Sequence, residues 1–376
     1  MAVYKIFPAK DATLYSYYPT ANTSIDEILE VGNTLTIDGV PNVARSLIQF
    51  DDVEIADIID NKINNSSFDV NLRTFISYAQ GIISTNTLEI YPIAENWSSG
   101  TGKYLDIPTV TNGVSWNSAS LSTSWTSSGL DLNGNSITSS FNTTYVSQGG
   151  GSWIYSGSGI SNYKVTESFS FRSNKDLNIS VKTIIEKWYS GSIVNNGFIL
   201  KLSGSEEFIS DPNFQPILKY YSVDTNTIYP PQLEFKWRDY STILSGSEST
   251  ILSETPIKLS LNENPGFFYK DSINRFRVNS SPLYPPRTYQ TSSYFTNQYY
   301  LPTSSYYAIK DLDTNEFVVD FDTSYTQISA DSKGNYFDVY MNGLEPERYY
   351  KILIQTIIDG STLIIDDNFN FKVINP

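Results

Sequence analysis

The chain has 376 residues, 40% of them hydrophobic and 14% aromatic, which is long enough for two or three domains with real cores and excludes wholesale disorder. A formal net charge of -15 argues against a nucleic-acid partner, because phosphate binding needs clustered Lys and Arg. The chain contains no Cys and no His, which excludes disulfides, thiol chemistry, thiolate metal sites and an imidazole base, and leaves carboxylates, Lys and Tyr to move protons.

The 28 Tyr and 20 Phe, with abundant Ser, Thr and Asn, suit pleated strands and turns, so an all-β class is expected. At the N-terminus, MAVYKIFPAKDATLYSYYP has no charged region followed by an apolar run, and the expectation is a chain without a secretion signal that folds in a cytoplasm. No window approaches the ~20 apolar residues that span a bilayer, so no membrane partner is expected. Short sandwich-length strands are expected at Tyr4–Ile6, Ala12–Leu14, Ile28–Val31, Ser46–Phe50 and Leu88–Pro92, each gap punctuated by Pro, Asn, Gly or Asp.

Residues 95–161 form a Trp-, Ser-, Thr- and Gly-rich insertion read as elaborate loops with short strands, because Trp97, Trp116, Trp125 and Trp153 need somewhere to pack. Its most polar piece, Ser147–Gly159, reads as mobile. The segment Lys182–Leu202 then breaks the period of two. Val181, Ile184, Ile185 and Trp188 recur at helical spacing, Gly191 stands where a helix ends, Asn195-Asn196-Gly197 supplies a turn, and Phe198, Leu200 and Leu202 alternate as a strand. Trp188 is therefore expected in the core. Pro231–Trp237 reads as the closing strand of a first domain, 1–245.

The second domain, 246–376, carries strand signals at Ile257–Leu261, Phe276–Val278, Tyr306–Ile309, Phe317–Phe321, Tyr336–Met341, Tyr349–Ile358 and Phe369–Val373. Seven such runs in ~120 residues fit an immunoglobulin-like sandwich. Within it lies the Tyr-rich stretch 284–307, almost free of charge. No internal repeat and no heptad pattern is found.

The first domain contains, in order, Asp11-Ala12-Thr13-Leu14, Pro19–Asn22 leading to Ile28–Gly32, Ser46–Asp51, Thr87–Tyr91, Lys187–Gly191, Asn196–Leu200 and Pro231–Phe235. In their order and spacing these pieces resemble the DNRLRE family of carbohydrate-binding-module-like β-sandwiches. The resemblance implies a jelly-roll-like β-sandwich with one short helix; the oversized insertion departs from the family. In the second domain Leu344, Pro346 and Tyr350 have the spacing of a tyrosine corner, which resembles a fibronectin type III or immunoglobulin-like domain. The acidic, Tyr-rich, His- and Cys-free chain as a whole is similar in style to virion structural proteins of tailed bacteriophages, which fold in the host cytoplasm and reach the outside by assembly and lysis.

Three groups of side chains are weighed for chemistry. Asp311-x-Asp313-x-Asn315 has the first spacing of a calcium loop, but Glu316 replaces the required glycine, so a hairpin turn is expected and no metal. The pairs Asp51-Asp52 and Asp366-Asp367 offer no reason for a raised pKa and read as solvated, with no catalytic residue and no cofactor expected. The four tryptophans offer a glycan platform as one reading and packing beneath the insertion as the other. The main expectation for contact is the stretch containing Tyr284, Tyr289, Tyr294, Phe295, Tyr299, Tyr300 and Tyr306, since Tyr gives large interface area at low entropy cost. The expected function is thus a non-enzymatic virion component of tail, baseplate, neck or capsid surface, with other virion proteins and copies of itself as partners. The alternative is a carbohydrate-binding adhesin or host-receptor-binding module.

Overall fold

Residues that favour a pleated backbone do form strands here: the chain is all-β and of sandwich type, with short helices between strands. The computed structural model describes residues 2–63, 67–82, 84–126, 149–243, 250–284 and 298–376. It divides into a larger unit, Ile6–Lys62 with Val70–Glu234, and a smaller unit, Met1–Lys5 with Ile63–Asp69 and Phe235–Pro376.

The larger unit is organised on an eight-stranded antiparallel sheet. Its order is Val165–Phe169, Asn86–Pro92, Phe198–Leu202, Pro41–Gln49, Ile28–Leu35, Ile217–Tyr221 and Ile76–Gln80, with Lys10–Tyr15 also paired to Pro41–Gln49. The helix that interrupts the strands spans Lys182–Tyr189 and buries Ile184, Ile185 and Trp188. It stops because Gly191 takes φ +68° and the N–H groups of Gly191 and Ser192 return to the carbonyls of Trp188 and Lys187. The next turn needs a second glycine. Gly197 sits at φ +93°, and a Cβ there would lie 2.4 Å from the Ile48 carbonyl oxygen.

Strand Phe198–Leu202 differs from the alternating pattern read in its sequence, because all five residues are buried. Both of its faces are covered. Phe198 packs on Trp188 with ring centroids 4.6 Å apart, while Ile199 joins the cluster that holds Trp97, Trp116, Trp125 and Trp153. Even Lys201 is fully buried. A helix not expected from sequence spans Asp52–Asp57 and continues as a π-helical turn, Ile58–Ile63. Asp51 caps it, accepting from the Val53 N–H at 2.6 Å, so one member of that acidic pair has a local structural role.

The smaller unit pairs two sheets around a single core. In one, Ile273–Pro282 lies beside Gly334–Tyr340, which pairs with Ser329–Asp331; Ile257–Leu261 and Tyr299–Tyr300 also pair with Ile273–Pro282, and Thr250–Ile251 adds to Tyr299–Tyr300. The other runs Phe267–Tyr269, Asn370–Ile374, Tyr349–Ile358, Ser305–Asp311 and Phe317–Val319, with Ser361–Ile365 also on Tyr349–Ile358. Phe276, Phe337, Tyr307, Ile309, Ile352 and Phe371 fill the space between them. Tyr307 stacks on Phe337 at 4.2 Å, and Phe337 on Phe276 at 5.5 Å. Burial of such aromatic area is the main stabilising contribution to a small sandwich.

Candidate functional site

The described parts of the insertion, 95–126 and 149–161, fold down as a layer on the eight-stranded sheet. Trp97, Trp116, Trp125 and Trp153 are each at most 4% exposed. Trp97 Nε1 donates to the Asn196 carbonyl and Trp125 Nε1 to the Ser115 carbonyl, both at 2.9 Å. None of the four offers a ring face to solvent, which is the packing arrangement and not an open stacking platform. Of the segment read as mobile, Ser147 and Gln148 lie outside the described residues; Gly149–Ile154 is largely buried, and the Ile154 N–H donates to the Pro92 carbonyl. Three glycines at positive φ make this close approach feasible. A Cβ on Gly150 would meet Arg45 Nη1 and a Trp116 ring carbon, each at 2.7 Å.

What that layer covers is a buried ionic cluster. Arg45 makes a bidentate pair with Glu207, at 2.7 and 2.8 Å, and donates to the Gly150 carbonyl at 2.6 Å, with all of these groups out of water. Trp116 and Trp153 lie 4.9 and 5.3 Å from its guanidinium carbon. Lys201 stands 3.4 Å from both Glu207 and Glu89, and donates to the Leu202 carbonyl. Lys164 approaches Glu89 from the rim. The two buried cations, Arg45 and Lys201, are thus matched by Glu207 and Glu89, which is the condition under which buried ions are tolerated. The cluster fixes the insertion to the sheet. Sequence gave no signal for it, because its members are separated by up to 162 positions.

The acidic motifs of the smaller unit have partners of their own. Asp311 holds Arg348 through two hydrogen bonds of 2.6 and 2.8 Å and accepts from the Asp313 and Thr314 N–H groups. Burial opposes its ionised form, but Arg348 and the two N–H donors together hold its carboxyl below the usual range. Asn315 takes φ +62°, as the tight turn requires. No cluster of three metal-ligating side chains occurs among the described residues. Asp366 pairs with Lys351 at 2.9 Å, and Asp367 accepts from the Leu261 N–H. Beside them, the Tyr350 hydroxyl donates to the Glu345 carbonyl at 2.9 Å, with Leu344 buried next to the same turn.

Of the Tyr-rich stretch, Tyr289, Tyr294 and Phe295 lie outside the described residues. Tyr284 is 80% exposed and, with Tyr299, Ile251 and Thr250–Pro256, lines a cleft of about 550 Å³. Tyr300 is buried, its hydroxyl donating to the Asp331 carbonyl, and Tyr306 is half-buried in a strand. The four described residues of the stretch are therefore split between surface and core.

A second aromatic surface went unnoticed in the sequence. Phe267, Tyr269 and Tyr349 are about half exposed, at 45%, 50% and 52%. Phe267 stands opposite Lys372 in one strand pairing and Tyr349 opposite Lys372 in another, so the three residues form a row across one sheet. Lys372 lies 5.9 Å from the Tyr349 ring and pairs with Glu347. The available signal was an exposed aromatic beside a half-buried or buried one, Phe267-Phe268-Tyr269 and Tyr349-Tyr350, which marks a strand with apolar groups on both faces. No protein-family model matches the chain, and no curated protein matches its sequence.

Proposed function

We propose that the chain is a non-enzymatic structural component of a bacteriophage particle, a part of tail, baseplate, neck or capsid surface that works through protein contacts in a multi-copy assembly. The observation that carries this reading is the row of half-exposed aromatic residues on one sheet of the smaller unit, where Phe267 and Tyr349 flank Lys372 with Tyr269 nearby. Tyr284 is exposed on the same unit. Half-exposed Tyr and Phe rimmed by Lys and Glu have the composition of a contact patch. The larger unit acts as a DNRLRE-like, jelly-roll-type scaffold, and the smaller one as an immunoglobulin- or fibronectin-III-like module, a reading supported by the hydrogen bond from Tyr350 to Glu345. Fold alone carries no function, so the test is made on the particle.

The test measures the copy number of the chain in purified particles and the mass of the isolated chain by light scattering. The expected result is a fixed multiple of copies per particle. An isolated monomer that is absent from every particle fraction would overturn the proposal. The glycan alternative needs an aromatic platform, and the burial of Trp97, Trp116, Trp125 and Trp153 weighs against the one the sequence offered.

A further inference from the structure

Strand Ile273–Pro282 is ten residues long, but one of its two edges is only half used. On one side Gly334–Tyr340 pairs with it from Ile273 to Val278. On the other, Ile257–Leu261 pairs only with Val278–Pro282, and the chain then turns away through Asn262–Pro265 to the opposite sheet. The direction of the backbone groups follows from two hydrogen bonds. Asn262 N–H donates to the Arg277 carbonyl on the half-used side, and Met341 N–H donates to the Ser272 carbonyl on the fully used side. Backbone groups alternate in direction along a strand. Ile273 and Arg275 therefore share the orientation of Arg277, and their N–H and C=O groups have no backbone partner among the described residues.

Arg275 lines a cleft of about 680 Å³, walled by Asn262–Pro265 and Phe268 on one side and by Asn274–Arg277 on the other, with Ile273 at its end. Apart from Glu263, whose carboxylate is exposed at the rim, the polar side chains there are already engaged. Arg275 pairs with Asp338 and Arg277 with Asp331, each bidentate; Asn264 donates to the Asn370 carbonyl and accepts from Gly266 N–H; Asn274 donates to Ser272. Asn262 accepts from Asn279. A sugar or small anion would have to displace these bonds. Besides the exposed Glu263 carboxylate, which disfavours an anion, what is unspent is main chain, and the floor is aromatic, with Phe268 and Phe276 centroids 5.2 Å apart.

We propose that this slot accepts an extended polypeptide segment of another protein chain, which adds antiparallel as a short strand beside Ile273–Arg277 and continues the line left by Ile257–Leu261. The partner segment alternates small apolar residues, facing Phe268 and Phe276, with polar β-branched residues outward beside Arg275. Main-chain hydrogen bonds supply the affinity and the aromatic floor selects the inward side chains. Half-open edges are positions that proteins otherwise shield. This holds whether or not the chain belongs to a particle, since it concerns one edge of the smaller unit.

The probe is the peptide acetyl-Thr-Val-Thr-Val-Thr-amide added to the full chain, with hydrogen exchange read at single amides. In the free chain, Ile273 and Arg275 exchange faster than Asn274 and Phe276. Millimolar peptide slows Ile273 and Arg275. A version N-methylated at its central Thr, whose N–H faces the edge, binds about tenfold more weakly or worse, whereas N-methylation of a Val, whose N–H faces away, has a smaller effect. Ile273 and Arg275 protected already in the free chain, unchanged by the peptide, or equally protected by both N-methylated versions, would each overturn the proposal.

Discussion

Asp11 illustrates how one residue's role is set by its neighbours. It is an ordinary strand residue in the sequence, yet the fold buries it beneath the loop after Ile217–Tyr221, where its carboxylate accepts from the Val223 N–H at 2.7 Å. Burial, with the Asp224 and Asp26 charges nearby, pushes its pKa up to about 8 despite that hydrogen bond. Because the folded value lies above the unfolded value of 3.8, the folded chain keeps a proton that the unfolded chain releases. This contribution to stability is complete below about pH 4 and is lost as pH rises through about 8. Asp11→Asn is expected to flatten the pH dependence of urea-unfolding stability between pH 5 and 9 relative to the parent chain; parallel curves would show an Asp11 that is ionised throughout. Glu207 is also buried, and its charge is matched by Arg45 and Lys201 in the interior. Glu207→Gln leaves two buried cations with half their compensation, and a loss of about 3–5 kcal/mol in the same unfolding measurement is expected. Neither environment was legible in sequence, because burial and charge matching depend on residues more than 100 positions apart.

At the scale of elements, legibility followed periodicity and turn chemistry. The helix Lys182–Tyr189, its Gly191 stop, the Asn195–Gly197 turn and strand Phe198–Leu202 all stand where spacing and glycine placement put them. The strands Phe68–Thr74, Ile76–Gln80, Val165–Phe169, Leu177–Ser180 and Ile217–Tyr221 were not read from sequence. Several are poor in aliphatic residues, and Val165–Phe169 and Ile76–Gln80 lie at the two ends of the long sheet, where one neighbour is missing and polar residues are tolerated. The short helix Asp52–Asp57 escaped notice because six residues give too few turns for a period to register. Trp188 ties the readable helix to the sheet. Trp188→Ala is expected to destabilise the chain by about 3–5 kcal/mol through the cavity beside Phe198. Fluorescence-monitored unfolding checks this through Trp-containing variants, and a cost below about 1 kcal/mol would mean that the helix packs without it.

At the scale of the whole molecule, the exposed Phe267 and Tyr284 of the smaller unit are the expected points of contact. Phe267→Ser combined with Tyr284→Ser is expected to leave the unfolding midpoint nearly unchanged, since surface changes away from packed features shift stability by only about 0.5 kcal/mol. Incorporation into particles, or self-association of the isolated chain, is expected to weaken about tenfold or more. Undiminished incorporation would remove these residues from the contact surface. The all-β class, the exclusion of His and Cys chemistry, the acidic surface and the core role of Trp188 were all contained in composition and local spacing, because propensity and period act over a few residues. The packing of the four tryptophans over an ion cluster, the mixed surface and core fates of Tyr284 and Tyr300, and the half-open edge at Ile273–Arg277 were decided by tertiary structure. Each depends on which distant segments come to lie side by side, and an amphipathic aromatic residue suits either side of that choice equally well.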